Sequence, residues 1–248
     1  QDEKIKNNDG IGMDYLYLGL NYFHQEKMNE ALIYMKKAQR KYIDIKDEAG
    51  LTLVNSNIGM VYRNLDQFDT ALTYYFKVRD YYQKEGIDRN VARVENNIGN
   101  IYKDLKQYDK ALEHFKISES ITLKSNEKYY LINVWCNIAD VYVERKEFQK
   151  AIDSYLKALE VAKEQKAVRL QKDVHFDLAH AFEQKGDFAK AYENYKTYSA
   201  LKDSTISEKY NQDLADMAVK YSSQKKESEN SILKKENELQ EIKILQEK

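Results

Sequence analysis

A period of forty residues runs through most of this chain and limits the folds open to it. A small residue recurs at one phase of the period, an aromatic residue follows three positions later, and an alanine follows nine positions after that. The three sets are Gly19, Gly59, Gly99, Ala139 and Ala179; Tyr22, Tyr62, Tyr102, Tyr142 and Phe182; and Ala31, Ala71, Ala111, Ala151 and Ala191. A period of this length is typical of a solenoid, in which each unit buries its apolar face only against neighbouring units. Such arrays mostly bind other molecules and perform no chemistry, so the repeat favours a recognition module over an enzyme.

Each unit contains two helical patterns separated by a short polar break. In the third unit, Ile98 and Ile101 recur at helical spacing, Lys106-Gln107 interrupts the pattern, and a second amphipathic stretch begins at Tyr108. The chain has no proline to break its helices. The recurring alanines are expected where paired helices approach most closely, because a larger side chain would hold the backbones apart. The sequence therefore predicts an all-α fold of ten antiparallel helices with very short turns.

Composition excludes several functional classes. Lys and Arg number 40 against 41 Asp and Glu, and a nearly neutral chain has no general attraction for nucleic acid. The single cysteine, Cys136, excludes an internal disulfide and leaves the redox compartment open. No apolar run is long enough to span a membrane, so we expect membrane attachment only through a segment outside these residues.

The repeated unit resembles the tetratricopeptide repeat (TPR). The resemblance is clearest over residues 97–102 and 108–112, and Trp135 occupies the tryptophan position of the family's consensus in the fourth unit. It extends over residues 12–202 as five 40-residue repeats, and it implies a right-handed α-solenoid of about five helix pairs. The family's usual unit is shorter and carries a proline that is absent here, which implies longer helices.

The resemblance also implies which side chains face the concave groove of the array. The position on the first helix of each repeat that faces this groove is held by Tyr17, Asn57, Asn97, Asn137 and Asp177. Three asparagines in register are similar to the ladders of kinesin light chains and Gram-positive peptide receptors, in which amides hold the main chain of an extended peptide. An amide both donates and accepts hydrogen bonds, so it pairs with any peptide unit. The alternative is that these asparagines bond to neighbouring repeats and stiffen the array.

Other predicted groove positions divide by charge. Basic residues lie in the second and third repeats, and acidic residues, which include Glu144 and Glu183, lie in the fourth and fifth. Such a groove would orient a dipolar peptide; the alternative is that these are ordinary solvated helix charges. The first repeat's groove face is apolar, with Met13, Leu16, Leu20 and Phe23. The predicted binding residues are Asn57, Asn97, Asn137, Asp177, Arg63, Arg93, Asn100, Lys103, Asp140, Asp173 and His180.

Nothing in the sequence has the pattern of a catalytic or cofactor site. Asp173, Asp177 and His180 share one helical face, but no further ligand completes a metal-binding spacing, so we predict no metal. Cys136 lies beside Trp135 and is expected to be a packing residue. We predict no cofactor and no enzymatic activity within these residues.

Residues 203–248 lie outside the repeat and are predicted to form a further long helix. Its first part is expected to cap the last repeat, because solenoids need a terminal cover. Its second part resumes apolar spacing at Ile232, Leu239 and Ile242, with polar residues between them. Such a segment is either a solvated tail or a thin coiled-coil seam that forms a weak homodimer.

The junction into this helix contains Leu201-Lys202-Asp203-Ser204, Val219-Lys220-Tyr221 and the charged run 224–227. These segments resemble the junction of TPR sensor proteins of Bacteroidetes. In those proteins the array lies outside the cytoplasmic membrane and precedes a membrane span and a histidine kinase or helix-turn-helix domain. The resemblance implies the sensor region of a signal-transduction protein such as a two-component histidine kinase, which binds a peptide or protein ligand on the periplasmic side. The alternative is a soluble, cytoplasmic TPR scaffold or peptide receptor.

Overall fold

The computed structural model describes residues 2–202 and 208–246, with the side chains of residues 10–202, 215–231 and 233–235. Within these ranges the chain forms eleven helices and no strand, and 88% of it is helical. The helices are α1 (Asp2–His24), α2 (Met28–Ile45), α3 (Glu48–Asn64), α4 (Phe68–Lys84), α5 (Asp88–Asp104), α6 (Tyr108–Lys124), α7 (Lys128–Glu144), α8 (Phe148–Glu164), α9 (Val168–Lys185), α10 (Phe188–Leu201) and α11 (Glu208–Gln246).

The first ten helices form five consecutive packed pairs, which confirms the predicted all-α solenoid fold. The first helix, α1, begins at Asp2, and the array bounds of residues 12–202 stay a prediction. The right-handed sense of the solenoid stays a prediction. The chain divides into two compact units, unit 1 (Gln1–Tyr130) and unit 2 (Leu131–Lys248), and each is described below by itself.

The repeat period reflects a match between small and large side chains within each helix pair. All five recurring alanines are fully buried. A Cβ atom added to Gly99 would lie 2.6 Å from the ring of Phe115, and one added to Gly19 would lie 2.6 Å from Cγ of Met35. Each first helix therefore carries a small residue where the second helix of the pair inserts a large one sixteen positions later.

The turns obey a second period of twenty residues that the sequence did not reveal. Every turn between the first ten helices contains one residue with a positive φ, and only two of these nine residues are glycines. They are Glu26, Lys46, Asp66, Gly86, Lys106, Asn126, Lys146, Lys166 and Gly186. In the turn after α5, for example, the amide of Gln107 donates to the carbonyl of Tyr102 at 2.8 Å, and that of Lys106 to Lys103 at 2.9 Å. These paired bonds are those of a Schellman motif, and they allow the chain to reverse within three residues.

The beginning of α11 packs on the last helix pair of unit 2. Met217 is buried, with only 2% of its surface exposed. The ring of Tyr221 stacks on that of Tyr192, with the ring centroids 6.0 Å apart. The side-chain amide of Gln224 donates to the backbone carbonyl of Gly186 at 3.0 Å. Beyond Gln224, every described side chain of α11 is exposed. The predicted seam residues Ile232, Leu239 and Ile242 have side chains outside the described set.

Candidate peptide-binding face

Odd-numbered helices, the first of each pair, expose one stripe of side chains three or four residues apart, which we call the A-helix face. In unit 1 it consists of Met13, Tyr17 and Leu20 on α1, Leu53, Asn57 and Met60 on α3, and Arg93, Asn97 and Asn100 on α5. In unit 2 it consists of Asn133, Asn137 and Asp140 on α7, and Asp173, Asp177 and His180 on α9. Residues between these positions point into the core: Ile98 and Ile101 on α5, for example, are fully buried. Each predicted asparagine thus lies, half-buried, on the corresponding face of its own helix.

The asparagines of this face are not equivalent. Asn97 and Asn100 on α5 are half-buried, and neither has a hydrogen-bond partner among the described residues. Asn57 donates its amide N–H to the carbonyl of Leu53 in its own helix at 2.8 Å, which leaves its oxygen to accept a further bond. Asn137, in unit 2, is engaged within the protein. Neither Asn57 nor Asn97 bonds to a neighbouring repeat within the described part of the chain, as a stiffening strut would.

The three predicted cations, Arg63, Arg93 and Lys103, differ in their partners. Arg63 donates through Nε to Asp104 at 2.6 Å, and Lys103 is engaged within the protein. Arg93 is exposed, lies over the ring of Tyr130 at 5.6 Å from its centroid, and has no ion pair with a described residue. Burial raises the pKa of Tyr130 to about 12, against the opposing effect of the Arg93 charge, so the ring is a neutral surface for the guanidinium.

The predicted acidic residues of unit 2 are bound into its structure. Asp140 accepts a hydrogen bond from the hydroxyl of Tyr155 at 2.6 Å. Burial, and then the charges of Asp140 and Asp177, raise the pKa of the Tyr155 hydroxyl, which remains a hydrogen-bond donor. Asp173 lies 3.4 Å from the ammonium of Lys172. These carboxylates therefore have partners before any ligand arrives.

His180 and Glu183 connect the face of unit 2 to α11. The His180 ring packs edge-on against Phe176 at 4.5 Å between centroids, and its Nδ1 lies 3.8 Å from the Glu183 carboxylate. The other oxygen of Glu183 accepts from Lys220 on α11 at 2.6 Å, and this hydrogen bond raises the pKa of Lys220. Among the described residues, no group of three or more His, Cys, Asp or Glu side chains could hold a metal ion.

The apolar part of the face differs from the prediction in one residue. Leu16 is only 2% exposed and belongs to the core, so its assignment to the groove was wrong. Its neighbour Tyr17 is 60% exposed instead, and Leu53 on α3 is 40% exposed. Adjacent residues on a helix point about 100° apart. Where an apolar stripe is wider than the part that packs in the core, the sequence alone cannot tell which of its residues are buried and which are exposed.

A set of buried polar pairs escaped the sequence analysis. Glu95 on α5 is 3% exposed, and its carboxylate lies 2.6 Å from Nδ1 of His114 on α6 and 3.9 Å from Arg79 on α4. The corresponding positions two repeats later hold His175 and Asn194, whose side chains lie 2.8 Å apart. Glu95 and His175 share their phase of the repeat with the aromatic residues Tyr15 and Trp135, and His114 and Asn194 share theirs with Tyr34 and Tyr74. Polar residues at positions that some repeats fill with aromatic ones are the signal that could have revealed these pairs. They lie inside the helix pairs, away from the A-helix face.

A family model named tetratricopeptide repeat matches residues 48–124 and 130–204. The chain belongs to the tetratricopeptide repeat family. Among curated proteins, no match to the sequence was found. The TPR fold is typically a non-catalytic scaffold for protein interactions, and no catalytic family is indicated. In the described part of this TPR chain, no helix is both long and apolar enough to cross a membrane.

Several solved structures share the fold. The apo form of RapI matches with a TM-score of 0.67 at 20% identity, over 77% of this chain and 69% of RapI. A Rap protein complexed with competence and sporulation factor matches with a TM-score of 0.67 at 21% identity, over 75% of this chain and 52% of that protein. BtubC from P. vanneervenii matches with a TM-score of 0.61 at 16% identity, over 81% of this chain and 90% of BtubC. At these identities the likeness establishes the fold alone.

Proposed function

We propose that this TPR chain recognises a peptide or protein segment on its A-helix face, as the sensor region of a signal-transduction protein. The observation that carries the recognition part is the pair of amides on α5: Asn97 and Asn100 are half-buried, one helical turn apart, and without a hydrogen-bond partner in the described structure. Side-chain amides of a folded protein usually find partners, so two open amides on one face are suited to a ligand. A Rap protein of the same fold has been solved in complex with competence and sporulation factor, which supports this use of the fold.

The chemistry of the amides favours a peptide main chain as the ligand. Asn97 and Asn100 each offer a donor and an acceptor, and Asn57 offers its oxygen. Each bond to a peptide unit contributes about 0.5–1.5 kcal/mol of net binding free energy. One such bond to each of the three asparagines gives only a weak complex, whatever the sequence of the peptide. The side chains of the ligand must therefore supply the remaining affinity and the specificity.

A selection experiment tests the recognition part. A phage-displayed random peptide library is panned on the chain, and the selected peptides are titrated against the double variant Asn97→Ala, Asn100→Ala. We expect the double variant to lose binding by about tenfold or more, because it removes bonds of roughly 1 kcal/mol each. Asn29→Ala, an exposed asparagine on α2, is the matched control and should bind as the wild type does. Peptides that bind the double variant equally well would contradict the proposal.

The sensor part of the proposal rests on α11. This helix is fixed to the last pair through Met217, Tyr221 and Gln224, and the side chains described beyond that point are exposed. A ligand that favours one arrangement of the array would shift the position of such a helix. We place the array on the periplasmic side of the cytoplasmic membrane and propose that α11 forms a weak homodimer. Sedimentation of the chain at micromolar concentration tests the dimer: a tight dimer that survives removal of residues 223–248 would place self-association elsewhere.

A soluble, cytoplasmic scaffold is the second candidate, and the contacts of α11 with the α9–α10 pair favour it. Met217, Lys220, Tyr221 and Gln224 hold α11 on that pair, so α11 meets the needs of a terminal cap without any signalling role. Fractionation of cells that express the full gene separates the candidates, since a sensor is recovered with membranes and a scaffold with the soluble fraction.

A further inference from the structure

The A-helix face of unit 1 changes in character from α1 to α5, and this change identifies the class of peptide that fits it. The inference rests on the proposed function and adds the chemistry of the ligand. The face consists of three rows of residues, and the members of a row are forty positions apart on α1, α3 and α5. The first row is Met13, Leu53 and Arg93. The other two rows begin with Tyr17 or Leu20 on α1 and end with an asparagine on α5. The face is therefore apolar at one end and polar, with one cation, at the other.

The apolar end is accessible in the described structure. Tyr17 is 60% exposed and Leu53 is 40% exposed, while Met13, Leu20 and Met60 are half-buried. The helices α1 and α3 contact each other, so these side chains belong to one surface. An exposed apolar surface of neighbouring helices, bordered by polar groups, is typical of a binding site. The open amides of α5 beside it favour a peptide over a lipid, because hydrocarbon chains offer no hydrogen-bonding groups to them.

Arg93 supplies the charge that completes the pattern. Other arginines of α3, α4 and α5 have carboxylate partners: Arg63 pairs with Asp104, Arg79 lies 3.0 Å from Asp80, and Arg89 lies 3.0 Å from Glu127. Within the described part of the chain the partner of Arg93 is the ring of Tyr130, whose centroid lies 5.6 Å from the guanidinium carbon, and this contact leaves the guanidinium N–H groups to form hydrogen bonds. A guanidinium fixed in this way, beside two open amides, is complementary to a carboxylate.

We infer that unit 1 binds an extended peptide segment with apolar side chains at one end, over α1 and α3, and a carboxylate at the other, on Arg93. Neighbouring first helices lie about 10 Å apart, so the face from α1 to α5 spans roughly 20 Å. An extended chain rises about 3.3 Å per residue, which gives a segment of about six residues. The carboxylate is either an acidic side chain or the C-terminal group of the peptide. A lysine in its place would meet Arg93 and be rejected.

Unlabelled six-residue peptides, titrated calorimetrically into the full chain, test this inference. The reference probe is the peptide LFASAE with an amidated C-terminus; its companions end in Gln or Lys instead of Glu. LFASAA with a free C-terminal carboxylate separates a terminal from a side-chain acid, and EASAFL tests direction. We expect binding of LFASAE, or of the free-acid LFASAA, to exceed that of the Gln peptide by about tenfold, as for a charge-assisted hydrogen bond, and the Lys and reversed peptides to bind least.

Two arginine variants make the test specific. Arg93→Gln should reduce the affinity for the acidic peptide to that for the Gln peptide, whereas Arg89→Gln should leave the preference unchanged. Tyr17→Ser should weaken all peptides of the set, and its exposed position makes loss of folding unexpected. Equal affinity for the Glu, Gln and free-acid peptides, a preference that survives Arg93→Gln, or no binding by any peptide of the set would overturn the inference. The proposed function would still stand if library peptides of another composition required Asn97 and Asn100.

Discussion

At the residue scale, the buried polar pairs distinguish repeats that otherwise share one pattern. The hydrogen-bonded pair of Glu95 and His114 occupies the place that His175 and Asn194 occupy two repeats later. A helix paired with the wrong partner would bury a charge or an amide without its complement, which is costly. These pairs therefore favour the correct assembly of self-similar helices.

Removing Glu95 from its pair with His114 should destabilise unit 1. Glu95→Leu leaves His114 and Arg79 without the buried carboxylate, and we expect the free energy of unfolding to fall by about 3 kcal/mol. The double variant Glu95→Leu, His114→Leu should recover part of this loss, because the second buried polar group is also removed. Urea denaturation of the wild type, the single variant and the double variant measures both effects. A single variant within about 0.5 kcal/mol of the wild type would show that the pair contributes little to stability.

We expect the stability of unit 2 to depend on pH through His175. Burial lowers its pKa below the ordinary value of 6.5, against the opposing effect of its bond to Asn194. The unfolded chain therefore binds the proton more readily than the folded chain, and stability falls as the pH drops below 6.5 towards the folded-state pKa. We expect His175→Gln to show a smaller drop in melting temperature than the wild type between about pH 7.5 and about pH 5.5. An equal drop in both proteins would exclude His175 as a source of acid sensitivity.

At the scale of the elements, the helices could be predicted and the turns only in part. The forty-residue period located every helix pair, because each unit must bury the same small and large residues. Glycines such as Gly86 and Gly186 are the ordinary sequence signal for a residue in the left-handed backbone conformation at the end of a helix. Lys106 and Lys146 adopt the same conformation without such a signal. Those lysines are held there by the short connection between two packed helices, which is a tertiary constraint.

The turn lysines provide a test of that constraint. A non-glycine residue in the left-handed conformation is strained, so we expect Lys106→Gly to raise the free energy of unfolding by about 0.5–1 kcal/mol. Gly86→Ala, at the equivalent position of the preceding turn, should lower it by a similar amount. Chemical denaturation measures both changes. If Lys106→Gly destabilises the protein, the lysine makes a compensating contact that outweighs its backbone strain.

Attachment of α11 should depend on Met217. This side chain is 2% exposed, whereas Val219, two residues later, is 67% exposed. We expect Met217→Ala to increase amide hydrogen exchange over residues 215–224, because the contact that fixes the helix to α10 is weakened. Val219→Ala is the matched control and should leave exchange unchanged. Identical exchange in both variants would mean that the contacts of Lys220, Tyr221 and Gln224 fix the helix without Met217.

The candidate site shows where sequence reasoning ends. The repeat phase placed Asn57 and Asn97 on one face, yet it could not show that Asn57 donates to its own helix while Asn97 has no described partner. Likewise, Arg63 and Arg93 are equivalent as sequence letters, but a carboxylate neutralises the first and an aromatic ring supports the second. These differences depend on which neighbours the packing supplies, and the period does not encode them.

At the scale of the whole molecule, the central claim is that the A-helix face of this TPR chain holds the main chain of a peptide ligand. The side-chain amide resonances of Asn97 and Asn100, followed by nuclear magnetic resonance during titration with a library-selected peptide, test it most directly. We predict that both amide groups shift on saturation, as expected for new hydrogen bonds, while the amide of Asn29 on α2 does not. Saturation of the chain by the peptide without a shift at Asn97 and Asn100 would contradict the claim.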